Sequence, residues 1–399
     1  MTVFKYDSLS FSEQEEKVKV TLLSIYYFYI DKKDLVAIGE FKIGRNSIEF
    51  LSKKKEANVS QKFEFLLSDG FNRIKSSVNG KPALYVHRNS GIPLIGTNEF
   101  GIIDRGTNAI EVKPMTTCNI DCIFCSVDHL KRMSDVVVEA DYLIEELKKV
   151  VKLKENKVNI HIGSQGDPSI YGDLEYLVRE MRKIKQVGPI SMVTNGIIIT
   201  KQMADRLIDA GMTHFHISLH TTNQAMADKI ANAKYPVKKV MDVCRHIVKK
   251  AHLLLVPVWM PGINDKDVED VILFSKEIGA QIGVQNFLEY KFGKKPVNPL
   301  PMKLFYQKLE YMEKKIGVDL TTLDGDLKIV PDNRIPKPFR KGDIITVEIK
   351  AKDRLKNAVI GTAKERVVTI INCQKTVGTL KVKLFRDKDN IFFATPIIK

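Results

Sequence analysis

The chain has little cysteine, and its distribution is uneven. Of 399 residues only five are cysteine, and none precedes Cys118. A disulfide framework is therefore not expected: a chain of this length needs no staples, and a local group of three cannot pair off. No apolar run approaches the roughly 20 residues a membrane span requires, so no membrane partner is expected. No hydrophobic stretch follows Met1, so no secretory signal is expected, and the expected compartment is the reducing cytoplasm. With 44% hydrophobic and 28% charged residues, the composition fits a globular protein of two or three domains with a substantial core.

Net charge is +15 and is concentrated at one end. Residues 334–399 carry 11 Lys and 5 Arg against 4 Asp and 2 Glu, a net +10. Such asymmetry points to a polyanionic partner; the alternative is a solvated lysine-rich surface.

The pattern along the chain divides it in three. Residues 1–100 read as β-rich, with Lys17–Thr21, Leu35–Phe41 and Ser47–Leu51 as short apolar or alternating stretches. The run Tyr26, Tyr27, Phe28, Tyr29 is either strand core or a base-stacking surface. Residues 101–330 alternate strands and helices. Six strands are expected at Ala109–Lys113, Val158–Gly163, Ile190–Thr194, His214–Leu219, Leu253–Trp259 and Ile282–Leu288. Helical spacing of Leu143, Ile144, Leu147, Val150 and Val151, and again of Val237, Val240, Met241, Cys244 and Ile247, places helices between them and Cys244 in the core. Six βα units imply a parallel sheet with right-handed crossovers, too few for a closed eight-strand barrel, hence a partial (β/α)6 barrel. Pro331–Phe339, with three prolines, reads as a linker. Residues 334–399 hold five short strand-like runs, the pattern of a small OB-like β-barrel. The fold class is thus α/β, flanked by a β-rich N-terminal domain and a small C-terminal barrel.

Cys118, Cys122 and Cys125 follow the first core strand as C-x3-C-x2-C. Three thiolates can hold a [4Fe–4S] cluster and leave one iron open to an outside ligand. With His129 the same run reads C-x3-C-x2-C-x3-H, which could close on zinc. The position, in the first βα loop at the C-terminal sheet edge, is where α/β sites form.

These residues resemble the radical SAM superfamily over roughly 105–320. The cysteine motif matches, with the aromatic Phe124 before the third cysteine. Ser164-Gln165-Gly166-Asp167-Pro168 looks like the family turn that receives the amino group of S-adenosylmethionine (SAM), with Asp167 replacing the usual Glu. Thr194-Asn195-Gly196, Ser218-Leu219-His220 and Met260-Pro261-Gly262-Ile263-Asn264-Asp265 follow the next strands in the family's order. The resemblance implies a [4Fe–4S] cluster on Cys118, Cys122 and Cys125. It implies SAM contacts from Phe124, Gly166, Asp167, Thr194, Asn195, Ser218, Met260 and Gly262, with His220 as the candidate catalytic residue. It implies one-electron cleavage of SAM to a 5′-deoxyadenosyl radical, and an electron donor such as ferredoxin or flavodoxin. On this reading Gly166 lets the backbone approach the ligand, and Asp167 accepts a charge-assisted bond from its ammonium.

The C-terminal segment resembles TRAM domains, which bind RNA, through Lys341-Gly342-Asp343, Val359-Ile360-Gly361 and Phe392-Phe393-Ala394. The expected function is therefore modification of tRNA or rRNA by a radical SAM enzyme, a transferase reading. The absence of cysteine before Cys118 argues against methylthiolation, which uses a second cluster. A resemblance to RNA adenine methylases leaves Cys373 as the only plausible methyl carrier. Two other expectations stand beside this one: a radical SAM enzyme acting on a protein or small metabolite, and a non-enzymatic zinc protein that binds RNA. Lys291, Lys294 and Lys295 would lie at the barrel mouth, meeting a phosphate or solvent.

Overall fold

The structure is a computed structural model, and it describes residues 1–163, 165–321 and 327–397. Its centre is a seven-stranded sheet. Ala109–Lys113, Val158–Ile162, Val187–Thr194, His214–Ile217, His252–Leu255 and Gln281–Ile282 lie side by side in chain order. Each neighbouring pair is parallel, and Gly101–Asp104 adds an antiparallel edge. Because the order never reverses, the C-terminal ends of all six strands open on one edge. The three central strands are mostly buried, as the middle of a sheet covered on both faces requires.

The helices form for the reasons the spacing suggests. In Ala140–Val151 the residues Leu143, Ile144, Leu147, Val150 and Val151 are all buried. In Val237–Ile247 the buried face is Val237, Val240, Val243, Cys244 and Ile247, so Cys244 is core. Side-chain caps open two helices, Thr200 accepting from Met203 N and Asn223 from Met226 N.

The last two core strands are shorter than expected. Pro257 has no N–H to give, and the predicted Leu253–Trp259 splits into His252–Leu255 and Val258–Trp259. Ile282–Leu288 splits likewise into Gln281–Ile282 and Gln285–Asn286, and Val258–Trp259 pairs with Gln285–Asn286 in a separate two-stranded sheet.

The N-terminal region holds a three-stranded sheet and a four-stranded sheet, but also the helix Glu56–Phe71, which the strand reading missed. Its signal is present: Val59, Phe63, Leu67 and Gly70 form the buried stripe. Leu35–Phe41 is not one strand; Lys32–Val36 is a helical turn, and the strand is Glu40–Gly44. Tyr26 and Phe28 are core, while Tyr27 and Tyr29 face outward with partial exposure.

Residues 344–396 form a closed five-stranded barrel around Val347, Val368, Ile370, Val382, Leu384 and Phe392. Segment 88–108 is its seat: Val367 N donates to Ile95 O at 2.8 Å and Phe392 N to Gly96 O at 2.9 Å. Gly96 has φ 132°, and a Cβ there would overlap the Val367 backbone. Arg354 pairs with the buried Glu99 at 2.7 Å. Pro331–Phe339 is not a free linker. Buried Asp104 accepts from Lys154 Nζ, Gly106 N and Ile335 N, each at 2.8 Å, which straps the segment to the sheet.

Candidate active site

After the first core strand the chain enters the cysteine loop, and that loop is tied down from several sides. Thr117 Oγ1 hydrogen-bonds the Tyr26 hydroxyl at 2.8 Å and Asp135 Oδ2 at 2.9 Å. Thr116 Oγ1 accepts from Val136 N at 2.8 Å. Buried Arg132 pairs with Asp135 at 3.2 Å and donates to the carbonyls of Thr116 and Gln165. One guanidinium thus joins the cysteine loop to the loop after the second strand. From the far side of the sheet, Lys294 N donates to Cys125 O at 2.9 Å, and Lys294 Nζ meets Asp121 at 2.6 Å.

Gly166 is a tight position within the protein itself. A Cβ there would overlap the carbonyl oxygens of Thr116 and Thr117, and Asp167 N donates to Thr117 O at 2.9 Å. The glycine lets two loops touch. Ser164 of the same turn lies outside the described residues.

Asp167 is buried and already engaged. Its oxygens accept from Ser169 N (2.9 Å), Ser169 Oγ (2.6 Å), Thr194 Oγ1 (2.8 Å) and Asn195 N (2.7 Å). Burial pushes its pKa up, against the pull of these donors. Asp167 thus clamps the second strand end to the third. Asn195 extends the clamp: its Nδ2 donates to Asn119 Oδ1 at 2.8 Å, and its carbonyl accepts from Tyr235 Oη at 2.7 Å.

His220 Nδ1 accepts from Val258 N at 3.0 Å, so the neutral ring presents Nε2 as a donor. Burial pushes its pKa down to about 4. At neutral pH it is a hydrogen-bond donor and not a base. Its ring meets Phe124 edge-on at 4.7 Å.

Cys118, Cys122, Cys125, Phe124, Gly166, Asp167, Thr194, Asn195, Ser218 and His220 all line one cavity of about 250 Å³. Met260 and Gly262 do not. Met260 is fully buried against Ile230 and Phe287, and Gly262 turns the chain at φ 78°. The family-like run there instead supplies Asn264, whose side chain holds Met260 N at 2.8 Å and Val258 O at 2.9 Å. His129 also faces the cavity, and burial, reinforced by Arg132 and Lys81, pushes its pKa down to about 3. Sequence reasoning missed Asn119 and Arg132, and it named Tyr26 and Lys294 without the contacts they make here. No motif marks these contacts, because most join positions 16 to 173 residues apart in the chain.

The donor set fits the cluster better than zinc. Among the described residues no three Cys, His, Asp or Glu side chains converge as a single ion demands. Thiolates on a cube bind separate irons and need not converge. Burial pushes the Cys118 thiol up to about 12 and also raises Cys122 and Cys125, so a metal must displace protons to bind.

Residues 112–275 match the family model described as the radical SAM superfamily. An uncharacterized protein of Methanocaldococcus jannaschii is 36% identical over 360 residues, 81% of this chain and 82% of the relative. This chain belongs to the radical SAM superfamily. Its cofactors are a [4Fe–4S] cluster and SAM, which makes it an enzyme and sets aside the non-enzymatic zinc protein. The chain is also similar to a GTP 3′,8-cyclase of Aliarcobacter butzleri, 30% identical over 190 residues. That match spans 46% of this chain and 57% of the cyclase. Among solved structures it is similar to SuiB of Streptococcus suis bound to S-adenosylmethionine, with 12% identity and a TM-score of 0.44. The match covers 79% of this chain and 70% of the other, a likeness too loose to carry weight.

Among the described residues no helix is long and apolar enough to cross a membrane. Cys373 is buried in the barrel core, its thiol directed at Lys375 O at 3.5 Å. That burial in the barrel core does not suit a methyl carrier.

Proposed function

We propose that Cys118, Cys122 and Cys125 hold the cluster, that SAM occupies the adjoining cavity, and that the substrate is RNA docked on the C-terminal barrel. When bound, the two cofactors supply a 5′-deoxyadenosyl radical that abstracts hydrogen from the substrate. The chain's own residues do the positioning. Thr194, Asn195 and Ser218 line the ligand side. Asp167 fixes the strand ends that carry the first two. His220 offers an Nε2 donor, and Phe124 walls the cavity beside it.

The single observation favouring RNA is the outer face of the barrel. Lys381 and Lys383 stand exposed opposite Thr346 and Ile344. Phe385 lies next on the same face, 42% exposed, its ring 6.1 Å from Phe393, over which Arg386 sits at 6.0 Å. Lysines interleaved with aromatic rings on a small barrel suit phosphates and bases. A TRAM-like identity rests on the same face and on the motif resemblance. The barrel also reaches the cysteine loop, where Met133 N donates to Arg354 O at 2.9 Å, so a docked strand would lie near the cavity.

Nucleoside mass spectrometry of RNA from cells with and without this chain tests the reading. One modified nucleoside should vanish without it, and unchanged RNA would end the proposal. A second reading, a purine nucleotide substrate, is favoured by the likeness to the cyclase. It would appear as 5′-deoxyadenosine formation stimulated by GTP and not by RNA.

A further inference from the structure

Residues 287–300 form a loop whose ends are pinned together and whose middle crosses the cysteine loop. Asn286 Nδ2 donates to Leu300 O at 2.7 Å, closing the base. Asp128 N donates to Phe292 O and Lys294 N to Cys125 O, both at 2.9 Å, fixing the crossing. Compact loops with such closed ends are frequently functional. Helix Met302–Ile316 follows at once. Its inward stripe of Phe305, Leu309, Met312 and Ile316 leaves the other faces to solvent.

What these two segments expose is unusual for a solvated surface. Tyr290 is 50%, Phe292 43% and Tyr306 47% exposed. Lys291 and Lys303 are exposed in the same segments and make no ion pair among the described residues, while Lys308 lies over the Trp259 ring at 5.7 Å. Lys291 sits over the Phe292 ring at 5.4 Å. Between 288 and 311 there are five lysines against two glutamates. The Tyr306 ring rests edge-on against buried Phe305 at 5.6 Å, yet it stays about as exposed as the Tyr290 and Phe292 rings; an apolar protein contact would not interleave these rings with Lys291 and Lys303. Rings for base faces and cations for phosphates are what a single strand of nucleic acid needs.

We infer that this strip is a track for single-stranded RNA, leading over the Phe292 and Lys294 crossing to the rim of the cavity. The inference rests on the RNA reading above and deepens it. The barrel would hold the RNA, and the strip would hand an unpaired stretch to the radical.

The test uses the full chain, a single-stranded oligouridine and a polyglutamate control, with affinity measured across a salt series. Tyr290→Ala, Phe292→Ala and Tyr306→Ala together should weaken oligouridine binding by about tenfold or more, at an unchanged salt slope, because stacking is lost. Lys291→Gln with Lys303→Gln should flatten the salt slope by about 0.7 for each lysine. All five positions are exposed, so thermal unfolding should not move; a variant that shifts it is replaced by the single substitutions. Polyglutamate binding should ignore the rings. If wild type binds oligouridine and the ring variant binds it equally well, the track is wrong while the RNA reading stands. If wild type shows no salt-dependent binding, both fall. If the rings matter equally for polyglutamate, the strip takes an acidic polypeptide and the RNA track is overturned.

Discussion

The cavity at the strand ends and the outer face of the barrel are built on opposite principles. Around the cavity, polar side chains are buried and spent on one another: Asp167 on Ser169, Thr194 and Asn195, and Arg132 on Asp135, Thr116 and Gln165. On the barrel face, Lys381 and Lys383 stand in solvent, and Phe385 is 42% exposed. A sealed network fixes geometry, and losing one member leaves its partners buried and unsatisfied. A solvated cationic face fixes little geometry, contributes little stability, and acts at a range that salt shortens. Substitutions in the first region should therefore be severe and insensitive to salt, and those in the second mild for folding and sensitive to salt.

The largest effect should come from the cysteines. Cys118→Ala, Cys122→Ala or Cys125→Ala should each abolish iron incorporation and 5′-deoxyadenosine formation, read by metal analysis and chromatography after anaerobic reconstitution. Next is the seam. Arg354→Met leaves Glu99 buried without its partner and should cost about 3–5 kcal/mol in chemical denaturation. A loss under about 1 kcal/mol would show that the seam is solvated and blur the contrast.

Asp167→Ala removes the acceptor for two backbone N–H groups and two hydroxyls. It should cost about 3 kcal/mol, with SAM affinity falling alongside. If stability holds while only SAM binding falls, Asp167 acts on the ligand as the motif suggested.

pH should separate the regions as well. The pKa of His220 is depressed from 6.5 to about 4 by burial, so the unfolded chain binds the proton more readily. The stabilisation is complete above about pH 6.5 and is lost as pH falls toward 4. It amounts to about 3 kcal/mol, and denaturant midpoints across that window measure it. The smallest folding effect belongs to the barrel. Lys381→Glu with Lys383→Glu should change stability by less than about 0.5 kcal/mol, yet weaken RNA binding and reduce its salt slope.

What could be read from the chain follows the same divide. The six core strands were visible as short apolar-rich runs recurring between helical stretches, the last two read too long, and the cysteine loop was visible because its three cysteines are adjacent in sequence. The helix Glu56–Phe71 was missed although Val59, Phe63 and Leu67 have helical spacing, because short strands on both sides coloured the reading. For Gly166 and Asp167 the sequence could suggest a ligand-facing turn, but it could not show that Thr117 O and Asn195 N would lie against them. The lysine strap at 294 and the guanidinium of Arg132 depend on contacts that only the folded sheet creates. The barrel announced itself through charge and spacing, and its seat on segment 88–108 through nothing in the composition.

The most direct test is anaerobic reconstitution of the full chain, followed by reduction in the presence of SAM. Iron and sulfide in equal amounts, a brown chromophore, and methionine with 5′-deoxyadenosine as products are expected, all lost in Cys122→Ala. Bound zinc without iron, or a reduced cluster that leaves SAM intact, would contradict the assignment of the cavity.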